Sequence, residues 1–202
     1  FLLVCAHYDH LPACGAKAKD RGFGVRPGAD DNASGTAAML MLARALARTP
    51  NRRHHVLFLA TDAEEFGLLG SEHFVKRPTI DLSRVHLVLN IDQIGRSRDA
   101  SALLLGRVDA LPVIRAARAA EAHNPGARFR HVPMTGVIEW SDQAPFAQRG
   151  IPTLMLHARM SQHYHRRTDV HQTLNLPDAV RITRLAYELL RHLDRELADA
   201  ST

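Results

Sequence analysis

Acidic and imidazole side chains stand directly after several short apolar stretches of this sequence. In chain order, the segments that carry them are His7-Tyr8-Asp9, Asp30-Asp31-Asn32, Asp62-Ala63-Glu64-Glu65, Ile91-Asp92 and Tyr164-His165. Two imidazoles with three or more carboxylates form a ligand set that suits one or two zinc ions. Without a metal, so many carboxylates at one place would repel each other. The residue types therefore predict a metal-dependent hydrolase.

Each of these signals has a plainer interpretation when it is taken alone. A single His after a strand is usually a hydrogen-bonded surface residue, and the Glu64-Glu65 pair is typical of a solvated turn. Acids before a helix, as in Asp30-Asp31-Asn32, favour an N-cap because they complement the helix dipole. Their convergence on strand ends favours a metal site, since buried acids are costly unless they are paired or bound to metal.

The alternation of short apolar runs with amphipathic stretches predicts an α/β sheet that brings these residues together. Strands are predicted at residues 1–6, 56–61, 85–90, 102–105 and 152–157. Helices are predicted at residues 33–48, 68–77, 111–123 and 141–149, with a last helix that starts at residues 175–178. In open parallel sheets, ligands bind outside the carboxyl ends of the strands, and the acids and imidazoles fall there.

Length and composition agree with one globular domain and exclude several classes of protein. The chain has 202 residues, of which 46% are hydrophobic and 23% are charged, as in an ordinary globular protein. The net charge is +5, but the basic residues are scattered arginines without interleaved aromatics, so no nucleic-acid partner is predicted. The longest apolar runs, about six residues, are too short for a transmembrane segment, which takes about 20 residues.

The start of the chain carries two further features. It opens at Phe1 inside an apolar run with no Met, so we expect one catalytic domain over residues 1–202 that lacks N-terminal elements of a longer protein. The two cysteines, Cys5 and Cys14, fit no zinc spacing. Cys5 is expected to be buried, and whether the two are bonded stays open.

Taken together and in order, the motifs resemble those of one known family. They are Ala6-His7-Tyr8-Asp9, Gly28-Ala29-Asp30-Asp31-Asn32-Ala33-Ser34-Gly35, Ala63-Glu64-Glu65-Phe66-Gly67-Leu68-Leu69-Gly70-Ser71, Asn90-Ile91-Asp92, Ser141-Asp142-Gln143 and Tyr164-His165 with Asp169. This set is similar to that of the two-zinc exopeptidases of peptidase family M28, the bacterial leucyl-type aminopeptidases. Glutamate carboxypeptidase II and the glutaminyl cyclases are related to that family. The resemblance runs from residue 6 to about residue 175.

The resemblance implies an αβα sandwich with a mixed, largely parallel central sheet, and it implies two zinc ions per chain. Asp31 matches the carboxylate that bridges the two ions. His7 and Asp92 would complete one site, and Glu65 and His165 would complete the other. The ligands would thus come from loops that are far apart in the sequence.

The same resemblance implies roles for three further residues. Glu64 matches the general base, which takes a proton from a water that bridges the metals. Asp9 matches the acid that orients the imidazole of His7. Tyr164 stands where some members place a Tyr near the developing oxyanion, although a packed aromatic beside the site is an equal alternative.

Motif residues that match no ligand position receive structural interpretations. Ser141 or Asp142 is expected to cap a helix, and Asp169 to orient the loop after His165. His10 is expected near the ligands or on the surface. The Arg166-Arg167 pair would either favour an acidic group on the substrate or point to solvent.

The function implied is the hydrolysis of N-terminal residues from a peptide substrate. A glutaminyl cyclase-like acyltransferase with a single zinc is an alternative, as is a dipeptidase or carboxypeptidase on the same scaffold. A further alternative is a protein that only binds a partner, as the transferrin receptors do. Those relatives have lost metal ligands, whereas the full ligand set is present here. The export of many such enzymes favours a periplasmic or secreted location. The oligomeric state is not predicted.

Overall fold

The computed structural model describes residues 1–13, 24–133 and 140–199 of the chain. The strands are β1 (Leu2–His7), β2 (Val56–Thr61), β3 (Leu87–Ile91), β4 (Ser101–Gly106), β5 (Arg128–Pro133) and β6 (Thr153–His157). The helices are α1 (Gly35–Leu46), α2 (Leu69–Lys76), α3 (Leu111–His123), α4 (Ala144–Gln148) and α5 (Leu176–Asp199). The described strands form one sheet in the order β2-β1-β3-β6-β4-β5.

The sheet is mixed and mostly parallel, which confirms the predicted fold class. β2, β1, β3 and β6 run parallel to one another. β4 runs antiparallel to β6, and β5 pairs with β4 in parallel. The carboxyl ends of β1, β2, β3 and β6 therefore lie at one edge of the sheet, which we call the carboxyl edge.

β1 lies inside the sheet and packs against helices on both faces. Because successive strand residues point to opposite faces, a strand covered on both sides needs an unbroken apolar run. Leu2 and Val4 join the core formed with α1, α3 and α5. Leu3 and Cys5 point the other way, into the core formed with α2 and α4. This layering is the predicted αβα sandwich, and it leaves the strand ends free to carry polar residues.

The sequence analysis missed β5, which lies at the edge of the sheet. Arg128 and Arg130 interrupt its apolar pattern, but an edge strand tolerates charged side chains, which discourage further pairing. Their guanidinium groups lie 2.7 and 2.8 Å from the carboxylate of Asp99. The other predicted elements agree with the observed ones to within a few residues at each end.

Cys5 is a buried free thiol, as predicted, with its Sγ atom 3.4 Å from Oδ1 of Asn90. Cys14 lies outside the described residues. No helix in the described ranges combines the length and the apolarity that a bilayer span requires. The extent of the domain, and of any N-terminal elements before it, stays a prediction.

Candidate metal centre

A first cluster of ligand-type atoms lies where β1 and β3 end. Nε2 of His7 is 3.5 Å from Oδ1 of Asp31 and 3.6 Å from Oδ1 of Asp92. His7 is the last residue of β1, and Asp92 directly follows β3, so the pairing of these parallel strands brings both to the carboxyl edge. All three side chains are buried. Their atoms lie close enough together to hold one ion.

A second cluster shares Asp31 with the first. Nε2 of His165 is 3.2 Å from Oδ2 of Asp31 and 3.1 Å from Oε2 of Glu65. Asp31 therefore faces His7 with one carboxylate oxygen and His165 with the other. A carboxylate between two sets of ligands is suited to hold two ions side by side.

The separations between each of these imidazoles and the carboxylates that face it fit ligands of a common zinc ion, and the atoms of His10, Asp31 and Glu65 also lie close enough together to hold one ion. Two atoms bound tetrahedrally at zinc distances of about 2.0–2.1 Å stand about 3.3 Å apart. The four contacts above lie between 3.1 and 3.6 Å. Among the described residues, three of the atoms concerned are buried without a hydrogen bond: His7 Nε2, Asp31 Oδ2 and Asp92 Oδ1. Such atoms are costly unless a ligand satisfies them, so the residues present fit zinc.

The clustered charges shift the pKa of both imidazoles. Burial by itself lowers the pKa of His7, but the carboxylates of Asp9 and Asp92 outweigh burial and raise this pKa to about 12. Burial also lowers the pKa of His165, and the two carboxylates that face this ring raise it to about 9. The site thus attracts positive charge strongly. A bound dication would take the place of these protons, because a ligating imidazole is neutral.

A third imidazole, which the sequence analysis did not place among the ligands, faces the same two carboxylates. Nδ1 of His10 is 2.7 Å from Oε1 of Glu65 and 3.9 Å from Oδ2 of Asp31. Its ring meets that of His165 edge-on, with the ring centres 6.0 Å apart. The one signal in the sequence is that His10 follows His7 by three residues on the segment leaving β1.

Asp9 connects His7 to the turn that carries the two glutamates. Nδ1 of His7 lies 3.5 Å from Oδ1 of Asp9. The same carboxylate accepts the backbone N–H of Glu64 at 3.1 Å and that of Glu65 at 3.3 Å. Asp9 thus lies beside the imidazole and also holds the turn after β2, a contact that the sequence did not reveal.

Asn32 ties the loop of Asp31 to the end of β3. Its Nδ2 donates to the carbonyl oxygen of Ile91 at 2.9 Å, and its Oδ1 accepts the N–H of Gln93 at 3.1 Å. The residue is buried. Because these bonds reach the residues on both sides of Asp92, they fix Asp31 relative to that carboxylate.

A buried ion-pair network anchors the same loop from the other side. The carboxylate of Asp169 accepts the N–H of Asp30 at 2.9 Å and the N–H of Asp31 at 3.1 Å. The Arg96 guanidinium lies 2.8 Å from Asp169 and 3.1 Å from Asp30. Asp30 also accepts the N–H of Gly95 at 2.6 Å. Asp30 is therefore an anchor of the loop and not an N-cap.

Asp169→Asn is expected to lower the free energy of unfolding by about 3 kcal/mol, because it breaks a buried ion pair and leaves Arg96 partly uncompensated. Urea denaturation followed by circular dichroism measures the change. Asp109→Asn is the matched control, since the carboxylate of Asp109 is exposed and pairs only with an exposed guanidinium. Its effect is expected to stay below about 0.5 kcal/mol. Equal losses in the two variants would contradict the anchoring role.

The segment before α4 supplies hydrogen bonds in place of the predicted helix cap. Oγ of Ser141 donates to Oδ2 of Asp92 at 2.8 Å and accepts from Nδ2 of Asn90, also at 2.8 Å. Asp142 is buried and accepts a hydrogen bond from the hydroxyl of Thr61. The helix begins later, at Ala144, without a side-chain cap. The cap prediction is wrong because both side chains turn inward toward the carboxyl edge.

Glu64 and Tyr164 line an apolar cavity that opens beside the two clusters. Its volume is about 580 Å³, and apolar side chains make up much of its wall: Leu103, Leu105, Trp140, Met155 and Met160. Burial raises the pKa of Glu64 to about 8, against the opposing charge of His7. The ring of Tyr164 stacks on that of His165 at 3.6 Å between centres, and burial raises the pKa of its hydroxyl. Tyr164 therefore keeps its proton and remains a hydrogen-bond donor.

The sequence profile of Peptidase family M28 matches residues 1–190 of the chain. This chain belongs to peptidase family M28. The family match covers the loops that carry both clusters, and it confirms the resemblance inferred from the motifs.

Named relatives of this M28 chain include aminopeptidases. Aminopeptidase YwaD of Bacillus subtilis is 39% identical over 108 residues, which are 52% of this chain and 21% of that protein. The alkaline phosphatase isozyme conversion protein of Escherichia coli is 31% identical over 170 residues, 78% of this chain and 48% of that protein. The structure of BSAP, a zinc aminopeptidase from Bacillus subtilis, has a TM-score of 0.76 at 26% identity, covering 94% of this chain and 45% of that one. The chain therefore spans about half or less of the length of these proteins.

Proposed function

We propose that this chain is a metallo-aminopeptidase that uses two zinc ions to remove N-terminal residues from peptides. The observation that carries the proposal is the position of Asp31, whose two oxygens face two separate imidazole–carboxylate clusters. Membership of the M28 family supports a peptidase, and the names of YwaD and BSAP support an aminopeptidase that binds zinc.

Five residues are proposed as ligands of the two ions. His7 and Asp92 would bind one ion and Glu65 and His165 the other, with Asp31 shared between them. Zinc bound there would supply a Lewis acid for the scissile carbonyl and would lower the pKa of the attacking water.

Glu64 is proposed as the general base. Its carboxylate lines the cavity together with those of Asp31 and Asp92, so it faces the space where a reacting water would lie. Glu64 would accept a proton from that water and pass it to the nitrogen of the leaving amine. Asp9 supports the arrangement, because its carboxylate accepts the backbone N–H groups of Glu64 and Glu65 and so holds the turn that carries both side chains.

The apolar cavity is proposed to receive the side chain of the N-terminal residue of the substrate. The neighbouring acids would attract the cationic α-amine, while the wall around Leu103, Met155 and Trp140 suits an uncharged side chain. Tyr164 lines the same cavity and can donate its hydroxyl proton to the developing oxyanion. We therefore expect cleavage to be fastest after apolar N-terminal residues.

The alternatives differ in the number of ions and in the bond attacked. A glutaminyl cyclase-like reaction with a single zinc needs only one cluster, so the shared carboxylate of Asp31 favours the two-metal enzyme. A binding role without catalysis is disfavoured because both ligand sets are assembled. Dipeptidase and carboxypeptidase activities use the same centre, and a substrate panel separates them.

A periplasmic or secreted location stays a prediction.

The proposal is tested by measuring zinc content and peptide hydrolysis on the same preparation. We expect close to two zinc ions per chain by mass spectrometry and release of the first residue from peptide amides, which lack a free C-terminus. Cleavage restricted to dipeptides or to C-terminal residues would replace the aminopeptidase by the corresponding alternative. Pyroglutamate formation with one ion per chain would establish the cyclase, and a chain that binds no zinc would contradict the whole proposal.

Removal of metal is expected to lower the melting temperature of the protein. Ligands that bind only the folded state stabilise it, by about 2.7 kcal/mol when free ligand stands at about 100 times its Kd. For a chain of this size that corresponds to about 5–10 °C for each ion. Differential scanning fluorimetry with a chelator, followed by zinc re-addition, measures the shift. An unchanged melting temperature would mean that the clusters hold no metal in the native fold.

His165 and His10 offer a direct test of the second site. His165→Ala is expected to abolish zinc binding there, because it removes a ligand. His10→Ala is expected to weaken zinc binding about tenfold, the usual loss when a contact to a ligating side chain is removed, here a contact to Glu65. Competition with a chromophoric chelator measures both affinities, with the exposed His73→Ala as control. The reverse order of effects would make His10 the ligand.

A further inference from the structure

A second cavity, which none of the proposed roles uses, lies next to the apolar one. Its volume is about 700 Å³, and it is lined by Arg96, Ser97, Arg98, Arg159, Met160, Ser161, Gln162, His163, Thr173 and Asn175. None of these side chains is acidic, and nearly all of them carry hydrogen-bond donors. We call it the basic cavity.

The floor of the basic cavity is held in place by its own hydrogen bonds. Arg96 is engaged by the carboxylates of Asp30 and Asp169, so its charge is already balanced. Nδ2 of Asn175 donates to the carbonyl oxygen of Ser97 at 3.0 Å. These bonds fix the floor as a polar surface, in which Nε of Arg96 is buried without a hydrogen bond among the described residues.

The rim of the basic cavity differs from the floor, because its charges are not balanced. Within the described residues, neither Arg98 nor Arg159 forms an ion pair, and both side chains are exposed. The nearest acid in sequence to Arg98 is Asp99, which is taken up by Arg128 and Arg130. Two guanidinium groups without an acidic partner, set on a concave surface, attract an anion, and their planar forks match a carboxylate.

The basic cavity adjoins the apolar cavity of the proposed active site. Arg159 and Met160 line both cavities, so the two share a wall. The apolar cavity is also lined by Asp31, Glu64 and Asp92, none of which lines the basic cavity. A molecule that starts at the acids and passes Arg159 therefore moves from negative to positive surroundings.

We propose that the basic cavity binds a carboxylate of the peptide substrate on the C-terminal side of the cleaved bond. This inference rests on the proposed function and adds a substrate class to it. The acids around the proposed metal centre repel a carboxylate on the first residue, whereas the arginines beyond Arg159 attract one further along the chain. The carboxylate comes either from an acidic side chain or from the C-terminus of a short peptide.

The sequence analysis left open whether Arg166 and Arg167 favour an acidic group on the substrate or point to solvent. Both side chains are exposed, and neither lines the two cavities described here. The guanidinium of Arg167 lies over Gly24. The preference for an acidic group is therefore assigned to Arg98 and Arg159 in place of the pair next to His165.

The experiment compares matched peptides on the zinc-loaded protein. Leu-Ala-Glu amide and Leu-Ala-Gln amide differ in one charged side chain, and Leu-Ala-Ala acid and Leu-Ala-Ala amide differ in the terminal carboxylate. In at least one pair, we expect kcat/KM to be about tenfold higher for the peptide that bears the carboxylate. A gain of this size is what one hydrogen bond to a charged group contributes. The pair that shows the preference identifies the source of the carboxylate.

Arg98→Gln and Arg159→Gln are expected to bring that ratio close to one, and added salt is expected to reduce it in the unmodified protein. Because the ratio compares two substrates on one preparation, partial loss of folded protein leaves it interpretable. Arg107→Gln is the control: this exposed arginine pairs with Asp109 at the opposite edge of the sheet and should leave the ratio unchanged. Equal kcat/KM within both pairs, or a preference that survives both rim substitutions, would overturn the inference.

A binding measurement separates this inference from the proposed function. The ligands are analogues of Leu-Ala-Glu amide and Leu-Ala-Gln amide in which the Leu-Ala peptide bond is reduced to CH2–NH. Because these analogues cannot be hydrolysed, calorimetry measures their binding without turnover. If no peptide is cleaved but the Glu analogue binds more tightly through the rim, the aminopeptidase proposal fails and the carboxylate site stands. If peptides are cleaved without any preference for a carboxylate, the aminopeptidase proposal stands and the carboxylate site fails.

Discussion

Glu64→Gln is expected to reduce kcat by about 10³-fold while both metal sites keep their zinc, since a positioned general base contributes about 10²–10⁴-fold. The substitution keeps the shape of the side chain and removes only its ability to accept the proton. Glu64 lines the cavity but belongs to neither cluster of ligand-type atoms, so metal binding should not depend on it. Hydrolysis of a leucyl peptide amide and zinc content by mass spectrometry measure the two effects.

The control for Glu64→Gln is Glu72→Gln on α2, where the carboxylate forms only a surface ion pair with Lys76. We expect wild-type activity in that variant, because exposed pairs contribute little. Two outcomes would refute the assignment of Glu64. Full activity would place the base elsewhere, and parallel loss of zinc and activity would make Glu64 a ligand.

Asp31→Asn is expected to lower zinc content from about two ions per chain to less than one and to remove activity with it. An amide offers one weakly binding oxygen, whereas the carboxylate faces both clusters. Glu65→Gln should weaken one site and spare the other, because the imidazoles that Glu65 faces among the described residues are His165 and His10, not His7. Calorimetric zinc titration of the two variants gives the stoichiometry, and equal stoichiometry in both would contradict the bridging role.

Asp31→Asn is not expected to destabilise the zinc-free protein. Burial raises the pKa of Asp31, and the charges of Asp92 and Glu65 raise it further against the pull of His165. Neutralising the residue therefore relieves repulsion, and zinc-free Asp31→Asn should unfold at a temperature no lower than that of the zinc-free wild type. Scanning fluorimetry in chelator measures this, with the exposed Asp109→Asn as control. A clear loss of stability without zinc would show that Asp31 has a structural role.

Several elements could be predicted because local rules decide them. β1 is an unbroken apolar run that ends in His7, and β3 is followed at once by Asp92. The carboxyl ends of parallel strands meet at one edge, so these residues had to approach each other once the strands were assigned. α5 was predictable because its apolar residues recur at helical spacing.

Other features depended on neighbours that local patterns do not describe. β5 is a strand because β4 offers it an edge, although Arg128 and Arg130 break its apolar alternation. Asp142 looked like a helix cap, but the protein turns it inward to Thr61, which is remote in sequence. In both cases a tertiary partner outweighed the local preference.

The sequence by itself determined the α/β class and the convergence of acids and imidazoles on the carboxyl edge, because strand periodicity and strand ends are local properties. The αβα layering and the division of the ligands into two sets were implied by the resemblance of its motifs to family M28. Only the tertiary structure decided that Asp31 turns one oxygen to each imidazole and that Asn32 and Asp169 hold it there. It alone showed that His10 faces Glu65 and that Arg98 and Arg159 share a cavity. These are matters of side-chain direction between loops that lie 24 or more residues apart in the chain. A shift of an ångström would undo them, and no pattern along one segment specifies distances to another at that precision.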